Sequence, residues 1–91
     1  MTKSQESLIA LKTKYPVGIK DVRSLSEEQK AWVEMTIMAI TKDLKHHEVV
    51  LKLQKIHNRI AHATEDIPDK ELQKIISFVF ENINEIGNIL E

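Results

Sequence analysis

Apolar residues along this chain recur with helical period in four stretches separated by polar breaks. The densest is residues 31–40, AWVEMTIMAI, in which eight of ten positions are apolar. At helical spacing Val33, Ile37, Ile40 and Leu44 form one row, and Trp32, Met35/Thr36 and Ala39 form another. Such a helix leaves no wide polar face, which predicts a central element covered by partners on more than one side. Glu27, Glu28 and Lys30 precede the run and Lys42, Asp43 and Lys45 follow it. It is far shorter than the ~18 residues needed to cross a bilayer, so it reads as a core helix.

The other stretches fall into order around it. A first helix is expected from residue 2 or 3 to 14, opened by Thr2 and Gln5 at capping-box spacing and carrying Leu8, Ile9, Leu11 and Tyr15 as a short stripe. Pro16 stops it, because the residue before a proline is pushed out of the helical region, and Pro16-Val17-Gly18 reads as a turn. The connection through Ile19, Val22 and Leu25 is apolar enough to lie on the core. Ser26 and Gln29 form a second capping box, and the helix they open should reach Leu44 or Lys45. The third helix covers residues 47–63, with Val49, Val50, Leu53, Ile56, Ile60 and Ala63 turned inward. After a loop at residues 64–67, Pro68 is suited to the first turn of a fourth helix, with Asp69 and Glu71 at the positive end of its dipole. In that helix Leu72, Ile76, Val79, Ile83, Ile86 and Leu90 recur at alternating spacings of four and three, a heptad seam widened by Ile75 and Phe80. Phe78 stands off the seam, and Gly87 lies in a last turn expected to fray. Four amphipathic segments with short connections predict an all-α domain, an antiparallel four-helix bundle spanning residues 1–91.

Composition agrees with a small globular fold: 91 residues, 42% hydrophobic and 30% charged, with only two glycines and two prolines. The absence of cysteine excludes disulfides, thiolate chemistry and cysteine-based zinc sites. The first fifteen residues hold no apolar run of signal-peptide length, so a cytoplasmic protein is expected, with peripheral contact at the inner membrane face as an extension of that expectation. The net charge of −1 conceals a dipole. Residues 1–64 carry eleven Lys/Arg against seven Asp/Glu, or +4, whereas residues 65–91 carry two against seven, or −5.

Candidate chemistry is sparse. His46, His47 and Glu48 are consecutive and cannot converge on one ion from a regular helix. His57 and His62 are five apart, unlike the i, i+4 pair of a helical zinc site. No metal and no cofactor are expected; His57, four residues after Leu53, reads as a half-buried bundle histidine, and His46 and His47 as carbonyl caps. Lys45, Lys52, Lys55 and Arg59 gather on the outer side of the third helix. On a chain without a basic excess this row reads as a solvated face rather than a nucleic-acid surface, though an anionic membrane would attract it. No glycine-rich phosphate loop, nucleophile elbow or thiol is present, and two arginines are too few for a basic catalytic pocket. No enzyme is expected.

One set of residues resembles a known family. Leu25-Ser26-Glu27-Glu28-Gln29 opens an apolar helix that closes at Lys42-Asp43-Leu44. His47-Glu48-Val49-Val50-Leu51-Lys52-Leu53 precedes Ile60-Ala61, and Asp69-Lys70-Glu71-Leu72 precedes Ile75, Ile76 and Phe80. Across residues 22–86 this order is similar to the small cytosolic immunity proteins that protect lactic-acid bacteria and streptococci from their own class II bacteriocins. The resemblance implies a four-helix bundle without catalysis. It also implies protection from inside the cell by engaging the bacteriocin–receptor complex at the membrane, often a sugar-transport permease, with specificity associated with the C-terminal half. The outer surface of the third and fourth helices is then the expected partner face, at Lys52, Lys55, Arg59, Phe78, Glu81 and Glu85. The competing class is a helical adaptor or regulator of phage or plasmid type that binds a protein partner; it shares the fold and differs in gene neighbourhood.

Overall fold

A computed structural model describes residues 2–42, 44 and 48–91, and among them the chain is all-helical. Helix α1, Lys3–Lys14, starts with the expected capping box: the Gln5 amide donates to Thr2 Oγ1 at 3.2 Å and the Thr2 amide to Gln5 Oε1 at 2.7 Å. It ends at Tyr15, and the Gly18 amide closes the following turn on the Tyr15 carbonyl at 3.1 Å. Gly18 has φ +81°, where a side chain would be strained, although a Cβ there would meet the Phe80 ring only at van der Waals contact, 3.4 Å. The connection continues through a 3-10 turn, Val22–Ser24, and does lie on the core, with Ile19 and Val22 buried.

Helix α2, Glu27–Thr41, opens with the second capping box, Ser26 and Gln29. Helix α3 is Glu48–Ala61, α4 is Asp69–Glu81 and α5 is Ile83–Leu90. Helix α1 packs on α2 and α2 on α3, α5 returns to α1, and α4 backs the 3-10 turn. One core joins them: Leu8 and Leu11 meet Val33, Ile37 and Ile40, then Val50 and Leu53, Leu72, Ile76 and Val79, and Ile86. Burying each such side chain contributes about 1.5–3 kcal/mol, and every helix and the α1–α2 connection supply part of that stabilisation. Two long-range hydrogen bonds pin the first turn of α1: Ser4 Oγ donates to the Ala39 carbonyl at 3.0 Å and Gln5 Nε2 to the Leu90 carbonyl at 2.8 Å.

The structure departs from the sequence reading at element ends. The expected fourth helix is two helices, because Asn82 leaves helical geometry (φ −109°, ψ 15°) while its side-chain amide donates to the Phe78 carbonyl at 2.9 Å. The Asn82 backbone amide still donates to the same carbonyl at 3.2 Å, so the side chain adds a second bond there and the break lies in the Asn82 dihedrals rather than in a lost ladder bond. Helix α2 stops at Thr41 rather than at residue 44 or 45. The Thr41 hydroxyl turns back on the carbonyls of Ile37 (3.0 Å) and Met38 (3.1 Å), yet Leu44 is still buried as the row predicts. Pro68 is the N-cap of α4 (φ −56°, ψ 143°) rather than part of its first turn. Helix α3 ends at Ala61, two residues short of expectation, and of its expected inner stripe Val50 and Leu53 are fully buried while Val49, Ile56, Ile60 and Ala63 are partly so. Gly87 does lie in the last turn, that of α5, which runs to Leu90 and brings it up against Leu8 of α1. The readings placed on Asp43, Lys45, His46 and His47 lie outside the described residues.

Candidate functional site

The outward face of α3 and α4 derives from the same periodicity that buries the opposite face. With Val50, Leu53 and Ile60 turned to the core, Lys52, Lys55 and Arg59 are carried to the surface, and all three are exposed. On α4 the burial of Leu72, Ile76 and Val79 puts Glu71 and Phe78 on the flank toward α3, and Glu81 on the outer ridge. The structure then pairs the two helices. Arg59 Nε donates to Glu71 Oε1 at 2.7 Å and its Nη2 to Glu71 Oε2 at 2.8 Å, a bidentate pair that holds Glu71 below and Arg59 above their ordinary pKa ranges, chiefly through the hydrogen bonds themselves. Lys52 Nζ stands 5.8 Å from the centroid of the Phe78 ring, a cation–π contact across the same crevice.

Of the six expected face residues, Lys52 and Phe78 are brought into contact, and Arg59 is engaged by a carboxylate the sequence reading did not assign to it. Lys55, Glu81 and Glu85 are exposed and have no ion-pair partner among the described residues. Glu81 and Glu85 are not on one rod, since the Asn82 joint assigns the first to α4 and the second to α5. Phe78 is half-buried, its inner edge against the core, as an aromatic just off a seam should be. The reading of the face left out Leu51. It is one turn before Lys55 and 50% exposed, and its distance from the Val50–Leu53 stripe was the signal that marked it. Leu51 and Lys55 are thus exposed on α3, whose Lys52 reaches the Phe78 ring of α4, and Glu81 and Glu85 are exposed carboxylates on α4 and α5.

His57 is half-buried, as expected for a histidine on the edge of the stripe, and it works as a link between helices. Its Nδ1 lies 3.1 Å from the Met38 carbonyl and 2.9 Å from Thr41 Oγ1. A carbonyl only accepts, so Nδ1 carries the proton in that bond, and the Thr41 hydroxyl is already directed at carbonyls of its own helix. His57 therefore caps the end of α2 from α3. Among the described residues no three His, Asp or Glu side chains converge on a common point, and no helix is long and apolar enough to cross a membrane. Compared with models of protein families, with curated proteins and with solved structures, the chain matches none.

Proposed function

We propose that this chain is a bacteriocin immunity protein of the class II type. It binds the bacteriocin–receptor complex from the cytoplasmic side of the membrane, touching the membrane only peripherally and catalysing nothing. The supporting sequence feature is the pattern from Leu25 to Phe80. The supporting structural observation is the α3–α4 face, where Lys52 stands over the Phe78 ring and Leu51 and Lys55 are exposed on α3. Aromatic and aliphatic anchors inside a charged rim suit protein recognition, with the rim charges steering encounter and partner choice. The packing of α1, α2 and α3 with the jointed α4–α5 unit is compatible with the antiparallel four-helix arrangement this reading carries with it.

The test is expression of the chain in a bacteriocin-sensitive strain. Resistance to one bacteriocin and not to unrelated ones is expected. Lys52→Glu and Lys55→Glu should reduce protection while leaving the helical circular-dichroism spectrum and Tm near those of the parent, because neither side chain supports the core. Absence of protection against every bacteriocin of the source organism would transfer the chain to the class of helical adaptors.

A further inference from the structure

A second surface lies on the other flank of α4, away from α3. There the connection between α1 and α2 and the first two turns of α4 enclose an open groove of about 690 Å³, lined by Lys20, Arg23, Lys70 and Lys74 with Asp21 and Asp69. The acids in it are already matched. Asp21 receives Arg23 through Nε at 3.1 Å and Nη2 at 3.2 Å, and Asp69 receives Lys30 of α2 at 3.1 Å. Lys20, Lys70 and Lys74 have no such partner among the described residues, so three like charges surround one space without compensation.

The walls of the groove are fixed rather than loose. Gln73, between Lys70 and Lys74, accepts the Val22 amide at 2.6 Å through Oε1 and donates through Nε2 to the Ile19 carbonyl at 3.0 Å. One side chain thus fastens the connection to α4 on both sides of Lys20, and the backbone positions of the three lysines are set before any ligand arrives. The only guanidinium in the groove is spent on Asp21, so planar bidentate recognition of a carboxylate is not on offer. What remains are compact ammonium charges converging from two segments, which suit an anion whose charge is spread over several oxygens.

We propose that this groove binds a phosphate-type anion carrying at least two negative charges, held by Lys20, Lys70 and Lys74. The site is independent of the α3–α4 partner face, and its test does not depend on any protection assay. The full chain, labelled with nitrogen-15, is titrated with pyrophosphate at constant ionic strength, with chloride as the reference. Amide shifts are expected at residues 19–23 and 69–74. The double variant Lys20→Glu/Lys74→Glu should weaken binding by about tenfold or more, and Lys55→Glu on α3 should leave it unchanged. Co-sedimentation with cardiolipin-containing vesicles, whose headgroup joins two phosphates, against phosphatidylcholine ones, separates the two sources of such an anion. Vesicle binding that pyrophosphate displaces assigns a lipid headgroup, and pyrophosphate binding without vesicle binding assigns a free phosphate compound. Shifts no larger than those in chloride, shifts equally strong at Lys52 and Lys55, or undiminished affinity in the double variant would overturn the proposal.

Discussion

Helices α2 and α4 bring similar rows to the core, Val33, Ile37 and Ile40 from one and Leu72, Ile76 and Val79 from the other, all fully buried. Their outer faces are opposites. The outer ridge of α4 carries Lys70, Lys74 and Glu81, whereas that of α2 keeps Ala31 and Met35 in solvent, with Met35 66% exposed beside a groove of about 460 Å³ that it shares with Met38. The helix with more apolar residues is therefore the less completely covered one. Apolar content counts how much a helix has available to bury, and only periodicity says which side is buried. On α4 content and periodicity coincide, and on α2 they do not.

The sharpest test of that contrast is a charge on each row. Ile37→Asp and Ile76→Asp should each destabilise by more than about 4 kcal/mol, a large part of a whole stability of roughly 5–13 kcal/mol, since the carboxylate has no buried partner. Met35→Asp, in the middle of the most apolar run, should stay within about 0.5 kcal/mol of the parent in urea denaturation. If it destabilises the chain as much as Ile37→Asp does, α2 is covered on its outer side in solution and the contrast disappears.

Gln73→Leu comes next. It removes the partner of the Val22 amide and of the Ile19 carbonyl, and leaving such groups unsatisfied should lower stability by about 1–3 kcal/mol, read from the denaturation midpoint. An unchanged midpoint would mean that water replaces the glutamine and that the connection is not held by α4.

The helix starts give a smaller and two-signed pair. Helix α2 has a capping box, and Ser26→Ala should cost about 1 kcal/mol. Helix α4 has Pro68 at its N-cap with no side-chain hydrogen bond, so Pro68→Ser should not repeat that loss and should gain up to about 1 kcal/mol where the serine caps the Glu71 amide. Equal losses from both would show that Pro68 matters through chain stiffness instead.

The smallest expected effects concern pH, and the two helices should again differ in sign. Glu34 on α2 is raised above the ordinary carboxylate range, first by burial and then by the charges of Asp66 and Glu27. Its ionisation opposes folding, so this contribution makes the domain more stable as pH falls through the raised value. Glu71 on α4 is lowered by Arg59, so its contribution is full above the ordinary carboxylate range and is lost as pH falls through the lowered value. In Tm measurements Glu34→Gln should therefore raise and Glu71→Gln lower the value at neutral pH, both differences fading in acid. A fall from both substitutions would mean that Glu34 has a favourable partner.

Much of this architecture was legible in the residues alone. The α4 seam, both capping boxes, the turn after Pro16 and the burial of Ile19 and Val22 follow from spacing, side-chain oxygens and proline sterics, all of which act locally. The Asn82 joint was not, because no glycine or proline marks it and whether an asparagine bonds solvent or the carbonyl four residues back is decided by packing. The same limit applies to the sites. Helical spacing turned Lys52 and Phe78 away from the core stripes of their own helices, but the contact between them, the Arg59–Glu71 pair, the His57 link to Met38 and Thr41, and the lysine groove each join residues from different helices or from a helix and a connection. Their geometry exists only once the chain has folded.

The joint at Asn82 also divides the molecule in time. Helix α5 has eight residues, too few to persist alone in water, and its main cover is α1 at the far end of the sequence. The bond from Gln5 to Leu90 closes a loop of 85 residues, so it and the Leu8–Gly87 contact carry the largest chain-closure entropy in the fold. Helix α5 should consequently open on its own below the free energy of global unfolding, leaving α1 packed on α2 and α2 on α3. In native-state hydrogen exchange the amides of α5 would then share one low opening free energy while those around Leu11, Ile37 and Ile76 exchange only through complete unfolding.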